Sequence, residues 1–121
     1  MSCDVAKFTI TKGVDNTFVF TIKADGSTLP MTMTAGDTFT ATLVSLATGS
    51  NALVKSLTKD PVLASGKVTL DITTAEASAL VSEKGSKTDR YYLRPTYKMI
   101  IDCNTTNNGD FIARVSEVYV D

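Results

Sequence analysis

The residues that could do chemistry are few in this sequence, and they are scattered. There is no histidine, so no imidazole is present to activate a serine or cysteine or to ligate zinc. Ser45, Ser56 and Ser78 therefore read as ordinary hydroxyls. The two cysteines, Cys3 and Cys103, form no C-x-x-C pair. Cys103 falls on the apolar face of a strand pattern, which suits a buried inert thiol better than a nucleophile. Gly85-Ser86-Lys87-Thr88 has the look of a phosphate loop, but it lacks a glycine directly before the lysine, an earlier glycine and a strand-to-helix setting. Residues 104–110 are rich in side-chain oxygen, with Asn104, Thr105, Thr106, Asn107, Asn108 and Asp110. Calcium needs six to eight oxygens and usually several carboxylates, and Asp102 and Asp110 are the only acids nearby. A solvated hairpin tip is the better reading, and no tight calcium binding is expected. No two acids are brought together for glycoside chemistry. The expectation is a chain with no catalytic residue, no cofactor and no metal, hence not an enzyme.

One cluster points to contact with a partner. Lys84, Lys87, Arg90 and Arg94 make a basic stretch with Tyr91 and Tyr92 inside it. Arginine and tyrosine concentrate binding energy at protein interfaces. A cation beside a stacking ring would also suit single-stranded nucleic acid, and a solvated loop whose tyrosines cover a sheet edge fits the same residues. The net charge of −1 argues against a chain built to follow phosphate backbones, so nucleic acid is not the expected partner.

The elements that would position these residues are strands. At 121 residues the chain has the size of one domain, spanning residues 1–121, and its 43% hydrophobic content is too high for a disordered chain. No apolar run approaches the roughly 20 residues of a membrane span, and the first residues lack the apolar core of a signal peptide. Synthesis in a cytoplasm is expected, with Cys3 and Cys103 reduced. Alternation with period two dominates: Phe8 and Ile10; Phe18, Phe20 and Ile22; Phe39, Ala41 and Leu43; Val68, Leu70 and Ile72; Tyr97, Met99, Ile101 and Cys103. Threonines fill many of the intervening positions, as the pleated outer face of a sheet favours. Residues 52–57 read as an edge strand.

Turn chemistry separates the runs: Gly13-Val14-Asp15-Asn16, Asp25-Gly26, Thr48-Gly49-Ser50-Asn51, Asp60-Pro61, Ser65-Gly66 and Asn108-Gly109. Thr73-Thr74-Ala75-Glu76 fits a capping box opening one short helix. Residues 82–89 read as an exposed loop. In the last strand Phe111, Ala113 and Val115 share one face, whereas Val118 and Val120 would share the other. A β-bulge near Ser116-Glu117 would bring both sets to the core. About seven strands with one short helix predict an all-β, Ig-like two-sheet antiparallel sandwich.

The order of these pieces resembles a known family. A strand at Phe8-Thr9-Ile10-Thr11-Lys12-Gly13 and a second at Thr17-Phe18-Val19-Phe20-Thr21-Ile22 precede Ala24-Asp25-Gly26-Ser27-Thr28-Leu29-Pro30. Gly66-Lys67-Val68-Thr69-Leu70 later runs into Thr74-Ala75-Glu76-Ala77-Ser78-Ala79-Leu80, and Tyr97-Lys98-Met99-Ile100-Ile101 leads to Val118-Tyr119-Val120. This is similar to the Ig-like β-sandwich of tailed-phage baseplate and tail proteins, notably the N-terminal domain of baseplate upper proteins. The family passes quickly from its helix to the tyrosine-bearing strand, whereas residues 82–94 here form a longer, basic insertion. The resemblance implies a virion structural or assembly protein, in the baseplate, tail or a connector, with other virion proteins and copies of itself as partners. A stand-alone module that binds a host protein or a glycan is the alternative reading.

Overall fold

A computed structural model gives the architecture. It describes residues 5–23, 27–87 and 90–121, with the backbone alone for residues 5–6, 84–87 and 90–93. Cys3 and the Asp25-Gly26 turn lie outside the described residues.

Two sheets stack as a sandwich. The larger contains β1 (Val5–Ile10), β3 (Thr38–Ser45), β4 (Asn51–Ser56), β8 (Arg90–Thr105) and β9 (Gly109–Val120), in the order β1-β9-β8-β3-β4, and β7 (Glu83–Lys87) pairs with β8 off this path. The smaller contains β2 (Asn16–Thr21), the two-residue β5 (Thr58–Lys59) and β6 (Lys67–Ile72), in the order β2-β6-β5. This is the strand order of an immunoglobulin-type sandwich, and seven strands longer than two residues build its body once β7 is set aside. One pair departs from the antiparallel expectation. β1 runs parallel to β9, because the chain crosses to the other sheet after β1 instead of turning back beside it. Backbone bonds from Lys12 N–H to the Asp121 carbonyl (2.9 Å) and from Asp121 N–H to the Ile10 carbonyl (2.8 Å) extend that ladder.

The alternating residues meet between the sheets. Ile10, Phe20, Ile22, Phe39, Ala41, Leu43, Val68, Leu70, Ile72, Tyr97, Met99, Ile101 and Cys103 are all buried there. β4 is an edge strand, as its sequence predicts, and two features blunt it. A bulge leaves Ala52 without a cross-strand partner, and Lys55 reaches Glu76 at 3.0 Å.

The phase of β9 is resolved by a bulge, but not at the expected place. The register with β8 slips between Ile101/Arg114 and Asp102/Ile112, so Ala113 is the extra residue. Beyond it, Ser116, Val118 and Val120 are buried, Arg114 lies 5.2 Å from the Phe20 ring centre, and Val115 moves to the outer face opposite Ile100. The earlier bulge gives Arg114 a cation–π partner and sends Val115 out of the core.

The helix is short and capped as its sequence predicts. α1 (Thr74–Ser78) has Thr73 at its N-cap, where the Thr73 hydroxyl accepts from Glu76 N–H and the Glu76 carboxylate accepts from Thr73 N–H. Glu76 also takes Lys55, and these bonds, led by the Thr73 amide, hold its pKa below the ordinary carboxylate value. Removing the cap hydroxyl by Thr73→Ala should cost about 1 kcal/mol, read as a lower urea midpoint with unchanged slope.

Gly66 is required where it stands. Its φ is +68°, and a Cβ there would lie 3.0 Å from the backbone of Met31. Residues 31–33 thereby lie flush against the β6 entry, where Met31 and Met33 are buried.

Candidate functional site

The basic stretch singled out in the sequence does not form a loop. β7 folds back on the first residues of β8 as a β-arm, with Glu83 opposite Arg94, Lys84 opposite Leu93, Gly85 opposite Tyr92, Ser86 opposite Tyr91 and Lys87 opposite Arg90. Small and charged residues hid this strand from a reading by propensity, since Gly85, Ser86 and two lysines are poor strand formers. Pairing with a long neighbour overrides that preference. Its strand pairing is separate from that of the sandwich: β8 pairs with β9 only from Pro95 and with β3 only from Tyr97, so residues 90–94 have β7 as their sole strand neighbour among the described residues.

Its base is fixed by a tyrosine. The Tyr97 hydroxyl accepts from Val81 N–H at 2.8 Å, and the Thr96 hydroxyl donates to the Val81 carbonyl at 2.8 Å. Both backbone polar groups of Val81 are thus held by the first residues of the buried part of β8. A tyrosine at this corner of an immunoglobulin-type sandwich bonds the chain upstream of it in the same manner. Here the arm is inserted between tyrosine and acceptor segment. Sequence reasoning saw Tyr97 only as a core residue; its place at the start of the strand after the helix was the available signal.

Of the six contact candidates, Arg94 has a described side chain. It is exposed and meets Glu83 at 3.2 Å, a solvated pair of little stabilising value. Lys84 and Lys87 lie on β7, and Arg90, Tyr91 and Tyr92 on β8; their side chains lie outside what is described. The register nonetheless brings all six onto one two-stranded ribbon.

The opposite end of the sandwich carries a different structure. Residues 106–108 turn between β8 and β9, and Gly109 takes a φ of +68°. The Thr105 hydroxyl donates to the Gly109 carbonyl and accepts from Asn108 N–H. Beside this tip Asp37 is buried at 3% exposure, with three bonds to its carboxylate: Thr34 Oγ1 at 2.6 Å, Thr34 N–H at 2.9 Å and Thr106 N–H at 3.0 Å. Desolvation is the strongest influence on Asp37 and raises its pKa, but the bonds from Thr34 and Thr106 together outweigh it and hold the group below its ordinary value. Lys59 Nζ donates to the carbonyls of Ala35 (2.6 Å) and Asp37 (2.7 Å). Nothing in the sequence spacing marks Asp37, since its partners are 3 and 69 residues away.

An open depression of about 450 Å³ lies near this end, lined by residues that include Thr38, Thr40, Asp102, Asn104, Asp110 and Ile112. Among the described residues no three of His, Cys, Asp and Glu cluster as a metal site would need. Cys103 reaches the same wall but is 2% exposed and carries a free thiol, which burial pushes up to about 12. A thiol with that pKa is almost wholly protonated at neutral pH and does not attack electrophiles. Iodoacetamide should therefore label Cys103 only in the unfolded chain; rapid labelling of the native protein at this position, read by peptide mass spectrometry, would overturn that assignment.

No family model matches the chain, and no curated protein is similar to it.

Proposed function

We propose that the chain is a non-enzymatic structural or assembly protein of a tailed-phage virion, acting through protein–protein contacts made by its β-arm. The observation that carries this reading is the arm itself. Among the described residues it has no third strand, and a two-stranded ribbon by itself is only marginally stable in water. A protein that keeps such a ribbon beside a well-packed sandwich gains most from it when a partner covers the ribbon. The residues on it, four cationic and two aromatic, are types that supply binding energy at such contacts. The order of strand, turn and capped-helix motifs, similar to that of baseplate and tail sandwich domains, supports a virion as the setting.

The experiment is direct. Mass spectrometry of particles purified from the phage that encodes the chain should find it at a fixed ratio to the major structural proteins, and gold-labelled antibody should mark one place on the particle. Its absence from purified particles would remove the reading.

A further inference from the structure

The open edge of the smaller sheet is self-complementary, and we infer that two copies of the chain pair there, β2 against β2, across a two-fold axis at Val19. This deepens the assembly reading above and rests on it for its biological setting. β2 pairs with β6 on one side and with nothing on the other among the described residues. Ile22 N–H donates to the Gly66 carbonyl in the same register as the β2–β6 ladder, so the even-numbered residues of β2 bond to β6. By the alternation of an antiparallel ladder, Thr17, Val19 and Thr21 direct their N–H and C=O groups to the free edge.

Free edges are usually guarded, and among the described residues this one is not. β4 has its bulge and its inward lysine, β5 is two residues long, and β1 carries Lys7. β2 reads Asn-Thr-Phe-Val-Phe-Thr, with no charge, no proline and an unbroken register, and it leaves Val19 60% exposed on the outer face.

The sequence around Val19 is symmetric in chemistry. In an antiparallel pair centred on Val19, Val19 faces its own copy and Thr17 faces Thr21. These pairs each exchange two backbone bonds, because all three residues point their amides outward. Phe18 falls opposite Phe20 on the core side, beside an aromatic group in which Phe8 and Phe18 lie 4.8 Å apart. Two residues beyond the Thr17–Thr21 pairs, exposed Lys23 falls opposite exposed Asp15, twice by symmetry. Among the described residues Asp15 spends only Oδ1 within its own chain, on Thr74. Opposite charges at the ends and identical uncharged residues at the centre are the mark of an isologous contact, which selects a second copy over an unrelated strand. The product is one continuous sheet through both chains, β5-β6-β2 joined to β2-β6-β5.

Sedimentation velocity of the full chain tests this, with Val19→Lys as the variant. The wild type should show a concentration-dependent dimer. V19K sets two like charges face to face at the axis, and should weaken dimerisation by about a hundredfold while circular dichroism stays unchanged. A second variant covers a failure of V19K to fold: V19C in a C3S background should form an intermolecular disulfide under mild oxidation, because the two Cα atoms of such a pair sit about 5.5 Å apart. V54C on the edge strand β4, at a residue equally exposed, should not. A wild type that stays monomeric at high concentration, or equal cross-linking of V19C and V54C, would overturn the pairing and leave the arm and the virion reading standing. Loss of the dimer on replacing Arg90 and Tyr91, with V19K still dimeric, would also overturn it and would place the self-contact on the arm. A dimer that behaves as expected, in a chain missing from purified particles, would keep the pairing and discard the virion.

Discussion

Replacing Asp37 by alanine should destabilise the fold by about 3–4 kcal/mol, the largest effect expected of a single substitution at a polar residue of this chain. Three donors converge on one buried carboxylate, and each is left without its acceptor when the group is removed. Thr34 and Thr106 come from different parts of the chain, so losing these bonds weakens the tie between the turn before β3 and the β8–β9 tip, to which a 3.4 Å bond between the Thr34 and Thr106 hydroxyls also contributes. In a domain of this size the melting temperature should fall by roughly 10–20 °C. Asp37→Asn keeps the shape and an acceptor oxygen, and should recover about half of that.

The same residue sets an acid dependence. Its pKa in the folded chain lies below the unfolded value, close to the ordinary 3.8. The unfolded chain therefore takes up the proton first as the pH drops. The stabilisation is complete above the unfolded pKa and is lost as the pH falls through the lower, folded one. Glu76, whose pKa is also held down, acts in the same direction. A plot of stability against pH should thus fall on its acid side, and D37N should flatten that fall. An acid limb equally steep in D37N would assign the dependence to other carboxylates.

The second large effect concerns the arm. Replacing Arg90 and Tyr91 together by alanine should leave the sandwich folded and weaken binding to the proposed virion partners by about 2–4 kcal/mol, or roughly 30- to 1,000-fold. The fold should survive because the arm carries none of the pairing between the sheets and is tied off below by Val81 with Thr96 and Tyr97. For the same reason, exchanging residues 84–93 for a short Gly-Ser turn should preserve the thermal transition of the body. Co-sedimentation with proteins released from purified particles reads the contact. Equal capture of wild type and double variant would count against the arm, whatever the stability of either.

The strand pattern was open to reading because alternation reports one property, which face is buried, and both faces of these strands differ sharply. Phe39, Ala41 and Leu43 against Thr38, Thr40 and Thr42 is the clearest case. The capping box was legible for a similar reason, since both of its partners lie within four residues. What escaped depended on neighbours distant in sequence. The need for a bulge in β9 followed from the clash of phase between Val115 and Val118, but its position was set by Arg114 finding the Phe20 ring across the sandwich. The parallel docking of β1 beside β9 has no local signal. The arm reads as a loop in sequence because Gly85, Ser86, Lys84 and Lys87 lack strand propensity, and only the extra length of β8 shows that they pair. Asp37 and Tyr97 work through partners that spacing does not connect to them. The contact residues were found by type, not by geometry: the sequence put cations beside tyrosines, and the fold set them on one ribbon.

Amide hydrogen exchange on the free chain and on the chain held in particles tests the central claim most directly. If the arm is the surface that a partner completes, amides in β7 and in residues 90–94 exchange quickly in the free protein, far faster than those of β3 or of β8 beyond Tyr97. In the particle they become protected, while the sandwich interior changes little. Arm amides that are already as slow as the core in the free chain, or that stay fast in the particle, would contradict a role for the arm in assembly.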